Sequence, residues 1–361
     1  MQASASAPPA PKPKETTLAQ KKLAEAITGY SFMAPAVIIL FVFFILPLAI
    51  SFYFSLTNWN GIRPLTNPDA YEMVGLRNYE RLLLSGRRVT EFYIALKNTI
   101  YYALGVVPLQ TIIALVLAVI MNQKWLKGRG FFRTAFYFPS ITSSVVISLI
   151  FVFLFATGGP VNGLLKAIFP NYTNVVWLSD ANGVIHNLLG LFGITRDTLG
   201  DFGQTKILHL TIWDWISGPS VTMLTIMLLA VWTTIGTMMV IFLAALQNVP
   251  SSVYEAASVD GATGWQQFTR ITLPILRPTT FFVVTIGLIG AFQVFDQVYV
   301  ISKGEPANTT LTLAYLVYRS AFDPQRPEMG LASATAIVLF IIILVASLIQ
   351  RRLTGGDKAN E

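Results

Sequence analysis

Six stretches of this chain, residues 26–62, 98–123, 134–165, 215–254, 278–302 and 329–350, run for 22 to 40 residues with no charge except Asp296. A helix that crosses a bilayer needs about 20 mainly apolar residues in a row, whereas a soluble helix keeps one polar face. The windows therefore predict an all-α, polytopic integral membrane protein with six transmembrane helices, at about 30–56, 95–121, 134–157, 219–246, 279–301 and 329–350. Only 12% of the 361 residues are charged, about half the share in soluble domains. The first window is too long, and starts too far into the chain, to be the apolar core of a cleaved signal peptide. Residues 1–25, rich in Pro and Ala at 7–14, are expected to be a mobile tail.

Cysteine is absent, which removes disulfides, thiolate metal sites and cysteine nucleophiles. The two histidines, His186 and His209, are too few for a multi-histidine centre, so no metal site is expected and both read as ordinary polar loop residues.

Charge sets the orientation, because positive residues near span ends are retained in the cytoplasm. Alternate connections, residues 1–25, 124–133, 255–277 and 351–361, hold 13 Lys or Arg and 6 Asp or Glu, while the rest of the chain holds 12 of each. The whole net charge of +7 thus falls on one side. Both termini, the 351–361 tail and the 247–278 loop are expected in the cytoplasm, the 158–217 loop outside, and residues 26–350 form the transmembrane domain. In the outer loop, residues 185–192 fit either a short amphipathic helix on the membrane surface or part of a folded cap with its own small core.

The 247–278 loop is the most informative connection. Pro250 is expected to end the preceding helix, and Ser252 with Glu255 three residues later to open a new one as a capping box. Asp260-Gly261 supplies a turn. Trp265, Phe268, Ile271 and Leu273 form an apolar stripe on a second short helix, which Pro274 and Pro278 are expected to terminate. Two short helices that display an acid and aromatics suit a groove on a partner; a well-capped connector without a partner fits the same residues.

The run Glu255-Ala256-Ala257-x-x-Asp260-Gly261-Ala262, followed by Phe268-x-x-Ile271-x-Leu273-Pro274, resembles the EAA motif of binding-protein-dependent ABC importer permeases. Asn98-Thr99, Val107-Pro108-Leu109, Arg129-Gly130-Phe131-Phe132-Arg133-Thr134 and Phe138-Pro139 extend the resemblance through most of the chain. Phe292-Gln293-x-Phe295-Asp296-x-Val298-Tyr299-Val300 is similar to the carbohydrate branch, the permeases for maltose, trehalose, related oligosaccharides and glycerol phosphate. Where that branch continues with Gly-Gly-Pro, this chain has Gly304-Glu305-Pro306, and its second outer loop is longer. The resemblance implies a non-catalytic permease subunit forming half of an ATP-driven import pathway for a sugar or oligosaccharide, in a bacterial or archaeal cytoplasmic (inner) membrane. The implied partners are a second permease subunit of a different chain, two ATPase subunits that bind ATP and Mg, and an extracytoplasmic sugar-binding protein. No cofactor belongs to this chain and no nucleic acid is involved; the sequence has no Gly-x-x-x-x-Gly-Lys-Ser/Thr phosphate loop of its own. Coupling to the ATPases falls by resemblance on Glu255, Ala256, Ala257, Asp260, Gly261, Ala262, Phe268, Leu273 and Pro274.

Polar residues inside spans are costly in lipid and commonly face a cavity. Asp296 and Gln293, interspersed with Phe292, Phe295 and Tyr299, suit a sugar, whose hydroxyls pair with carboxylate and amide groups and whose ring face stacks on aromatics. The competing reading has Asp296 anchor a helix by pairing with Lys303. Thr233 and Thr237 either line the route or bond back to their own helix. Asn98 is expected to make interhelical hydrogen bonds, and Gly287 and Gly290 to permit close helix approach. Two alternatives remain: a secondary transporter or channel working without an ATPase, and an ABC permease for a non-sugar solute such as glycerol phosphate. Against a secondary transporter stand a single intramembrane acid and no internal repeat.

Overall fold

The computed structural model describes residues 18–354 apart from Arg87 and Lys124. Residues 1–17 of the expected tail, and 355–361 at the other end, lie outside the described residues. Two compact units divide the chain, Met1–Tyr53 and Phe54–Glu361.

The first unit is an apolar helical run of α1 (Leu18–Leu40), a π-helical turn (Phe41–Ile45) and most of α2 (Leu46–Ser55). Residues 18–25, expected in the tail, are instead the opening turns of α1, because Leu, Ala, Gln, Lys and Glu there are strong helix formers. The Leu46 amide reaches back five residues to the Phe41 carbonyl. Pro47 comes next, with no amide proton and a ring that crowds the carbonyl four residues before it, and the widened turn takes up that misfit.

The second unit contains α3 (Arg77–Leu83), α4 (Val89–Asn122), α5 (Arg129–Ile141), α6 (Ser144–Leu154), α7 (Pro160–Ile168), α8 (Val184–Leu191) and α9 (Gly200–Gln204). A small antiparallel pair, β1 (Lys206–Ile207) with β2 (Leu210–Thr211), precedes α10 (Ile212–Trp215) and α11 (Val221–Gln247). Then come α12 (Ser251–Val259), α13 (Gly264–Gln267), a second π-helical turn (Phe268–Thr272), α14 (Leu273–Ile275), α15 (Arg277–Phe292), α16 (Asp296–Ile301), α17 (Leu313–Ala321) and α18 (Met329–Thr354).

The centre of this unit is α4 packed on α11. Ala95, Thr99, Ala103, Val106, Gln110, Ala114 and Ala118 recur at three- and four-residue spacing as one buried stripe of α4. Their small side chains admit Met223, Ile226, Ala230, Met239, Phe242 and Leu246 of α11. The α5 backbone also lies on α11: a Cβ at Gly236 would stand 2.2 Å from the Phe136 carbonyl oxygen.

Among the described residues, Lys21–Ser55, Val89–Asn122, Val221–Gln247, Arg277–Ile301 and Met329–Leu353 are long and apolar enough to cross a membrane, and α5 with α6 qualifies as a pair bent by 100°. The apolar window predicts one continuous span at about 134–157; the structure breaks it at Thr142-Ser143. The cause is local. Ser140 Oγ donates to the Tyr137 carbonyl (2.6 Å) and Thr142 Oγ1 to that of Phe138 (2.9 Å), competing for acceptors that a continuous helix would use. Thr142 and Ser143 are extended, with ψ of 149° and 128°. A second interruption, at 293–295, separates α15 from α16, and there the Val294 carbonyl accepts from buried Thr312 Oγ1 at 3.0 Å. Backbone freed from a helix at such depth needs a partner or a cavity. Asn98 donates to the carbonyls of Asn308 (2.9 Å) and Leu311 (3.0 Å), and Thr99 Oγ1 accepts from the Leu313 amide (3.0 Å). Asn98 therefore ties α4 to a connecting segment rather than to another helix.

The 158–217 insertion is folded around polar hubs. Asn162, 1% exposed, donates to the Thr157 and Val175 carbonyls and accepts from Tyr172 and Trp177, each at 2.9 Å. His186 stacks on Trp213 with ring centroids 3.9 Å apart and its Nε2 donates to the Trp213 carbonyl (3.0 Å), while His209 stacks on Tyr93 at 5.4 Å. Lys97 Nζ donates to the Asp214 carbonyl and Ser217 Oγ, both at 3.2 Å. These contacts belong to a folded cap; His186, half-buried against Trp213, is a packed part of it rather than an ordinary loop residue, while His209 is exposed in the β1–β2 turn, as expected of a polar loop residue. Burial holds the His186 imidazole below the usual histidine value, and the nearby Lys97 charge adds to that.

Candidate functional site

The segment from Asn248 to Leu276 is stiffened by hydrogen bonds of its own. α12 ends in a Schellman arrangement: the Gly261 amide donates to Ser258 (3.1 Å) and the Ala262 amide to Ala257 (2.9 Å), with Gly261 at φ +78°. A side chain with a Cβ is strained at that φ. Thr263 then caps α13 through a reciprocal box with Gln266. Gln267 Nε2 donates to Ser258 Oγ (2.9 Å), and the Tyr254 and Thr272 hydroxyls meet at 3.0 Å, so α12 is bonded to α13 and to the second π-helical turn. Leu276, fully buried, joins Ala114, Ala118, Phe242 and Leu246 in the cluster where α4 meets α11.

Two local expectations change. The capping box at Ser252/Glu255 does not form, because α12 begins two residues earlier with Pro250 at its N-cap and no side-chain cap; the box of this segment is Thr263/Gln266. Pro274 and Pro278 do not terminate helices but lie in the first turns of α14 and α15, where the missing amide proton costs nothing. The π-helical turn at Phe268–Thr272 stands before Pro274 as Phe41–Ile45 stands before Pro47.

Of the nine residues assigned to this surface, Glu255, Ala256, Asp260 and Gly261 are exposed, while Ala257, Ala262, Phe268, Leu273 and Pro274 are half-buried beneath them. Val259 and Trp265 add apolar area, 88% and 72% exposed. The result is an acid beside exposed apolar groups on a stiff support.

The two helix breaks open onto two cavities. One of about 260 Å³ is lined by Gln110 of α4, Thr234 of α11, Gly287 and Gly290 of α15, and Gln293, Phe295, Asp296 and Gln297 across the second break. The other, about 190 Å³, is lined by Ser140, Thr142, Ser144 and Ser148 at the first break together with Thr233, Thr234 and Gln297. Thr234 and Gln297 face both. Gln293, Phe295 and Asp296 are thus brought together at the first cavity and Thr233 lines the second, whereas Phe292, Tyr299 and Thr237 line neither: Phe292 is buried in the core and Tyr299 stacks on Phe295 at 5.5 Å. Thr233 Oγ1 also bonds back to Leu229 (3.1 Å) and Ala230 (3.0 Å). Asp296 makes no ion pair among the described residues, with Lys303 or any other base.

Gln110, 2% exposed, accepts from Thr234 Oγ1 at 2.6 Å. A Cβ at Gly287 would stand 2.4 Å from Gln110 Nε2, so this glycine does permit close approach; Gly290 has open space before it and faces the cavity instead. Among the described residues no group of three or more His, Cys, Asp or Glu is placed to hold a metal ion.

Residues 110–355 match the family described as the binding-protein-dependent transport system inner membrane component. The chain belongs to this family. It is therefore an integral, multi-pass component of the inner membrane. The arabinooligosaccharides transport system permease protein AraP of Bacillus subtilis is 33% identical over 91% of this chain and 89% of its own length. The lactose transport system permease protein LacF of Rhizobium radiobacter is 30% identical over 90% and 93%. In fold, the permease is similar to a chain of a bacterial alginate ABC transporter solved in complex with an alginate pentasaccharide-bound periplasmic protein, with a TM-score of 0.66, 22% identity and coverage of 92% and 97%.

Sequence reasoning missed Gln110 and the hydroxyls of 140–148. A signal for both was present: an uncharged amide in the middle of an apolar window, and Ser140, Thr142, Ser143 and Ser144 crowded behind Pro139.

Proposed function

We propose that this permease is a six-span subunit, with both termini cytoplasmic, of an ATP-driven importer for a sugar or oligosaccharide. It forms half of the translocation pathway beside a second permease chain. Two ATPase subunits bind ATP and Mg on the cytoplasmic side, and an extracytoplasmic binding protein delivers the solute to the side where the 158–217 cap lies. The sugar class rests on AraP and LacF, and the delivery step on the alginate transporter solved with its periplasmic protein. Family membership speaks against a channel or secondary carrier acting alone.

One observation carries the coupling role: the α12–α14 surface is rigid, exposes Glu255 and Trp265, and is rooted through Leu276 between α4 and α11. ATP-driven closure of the ATPases would move this unit as a body, and the rooted helices would carry the motion to the cavities. Asp296, Gln293, Phe295 and Thr233, with Gln110 and Gln297, would meet the solute there. Gly261→Pro tests the reading, since proline fixes φ near −65° where the native chain needs +78°. Coupled uptake should be abolished while membrane insertion persists; normal uptake by this variant contradicts the docking role.

A further inference from the structure

The two linings share an uneven chemistry. They hold three amides, Gln110, Gln293 and Gln297, a set of hydroxyls, and one carboxylate, Asp296, but no Lys, Arg or His. Asp296 is not neutralised by an ion pair among the described residues. Ser148, 0% exposed, lines the second cavity with its hydroxyl unpartnered, a group that a solute hydroxyl would satisfy. Asp296 and Gln293 are exposed in the lining, so a solute that passes them meets the carboxylate directly.

We propose that the cavities form a charge filter in which Asp296 is the specificity-determining residue, admitting neutral and cationic saccharides and rejecting anionic ones such as uronates. A neutral saccharide exchanges water for amide and hydroxyl partners at every step. An anionic one loses hydration beside a carboxylate and meets no base in these linings to replace it. The proposal deepens, and rests on, the reading of the cavities as the solute route.

The absence of cysteine gives a direct test. In the complete importer reconstituted in proteoliposomes, Gln293→Cys and Gln297→Cys are labelled with cationic and anionic methanethiosulfonates of similar size, the products being read on this chain by mass. Relative to a free thiol, the cationic reagent should react about tenfold faster. Asp296→Asn should return the ratio to that of the free thiol, and Asp296→Glu should keep it. Equal relative rates with Asp296 in place, or a ratio that Asp296→Asn leaves unmoved, overturn the filter. Failure of the route reading looks different: neither reagent reacts, or labelling is indifferent to a transported saccharide.

Discussion

The α12–α14 surface and the paired cavities are built in opposite ways. In the former, Thr263 with Gln266, Ser258 with Gln267 and Tyr254 with Thr272 close bonds across 3 to 18 residues. In the latter, Gln110 reaches Thr234 across 124 residues, and Gln297 stands by the serines of a helix break some 150 positions earlier. The first is a self-contained part that a partner can push without deforming it. The second exists only while six helices, α4, α5, α6, α11, α15 and α16, hold their positions, so any movement of those helices reshapes it. A stiff input joined to a deformable chamber is what an importer driven from one side requires, and Leu276 is the joint between them.

Cutting the joint should have the largest effect. Leu276→Ala removes a fully buried side chain and should cost about 2–5 kcal/mol, read as a lowered Tm of the purified permease together with weakened uptake. An intact Tm would mean that the two regions are not packed as described. Gly287→Val drives a branched side chain into Gln110 and should cost about 1–3 kcal/mol; uptake should fall while ATPase binding is unchanged, which keeps the damage on the chamber side. Thr263→Ala removes the capping box and should cost about 1 kcal/mol, seen as faster amide exchange in α13 with α4 and α11 unaffected.

Acidification should act on a third place, the cap. His186 titrates below the usual histidine value in the fold because it is buried, so its contribution is full above about pH 6.5, the unfolded value, and is lost as pH falls through the lower native one. Amide exchange in α8 should therefore accelerate on acidification, and His186→Phe, which keeps the stack on Trp213, should flatten that dependence. A dependence that survives in the variant would place the titration elsewhere.

The same contrast explains what the sequence made legible. Apolar windows report spans because lipid imposes length and composition on them, and the Asp260-Gly261 turn is legible because its αL residue and its hydrogen bonds are neighbours in the chain. The break at Thr142-Ser143 is hidden inside an uninterrupted apolar window: hydroxyls that cap a carbonyl leave hydropathy almost unchanged. Spacing around Asp296 points to Phe292 and Tyr299 as route residues, but a helix that stops at Phe292 and restarts at Asp296 changes which side chains share a face. Gln110 depends on α4, α11 and α15 meeting at one level, a fact held in packing rather than in any local pattern.

The central claim is that α12–α14 is the part the ATPases grip. With a photoactivatable crosslinker on Ser252→Cys, exposed one turn before Glu255 in this cysteine-free chain, irradiation of the assembled importer should join the permease to an ATPase subunit, and uptake should stop in proportion to the crosslinked fraction. Crosslinks confined to lipid or to the permease itself, with uptake unchanged, would contradict the account.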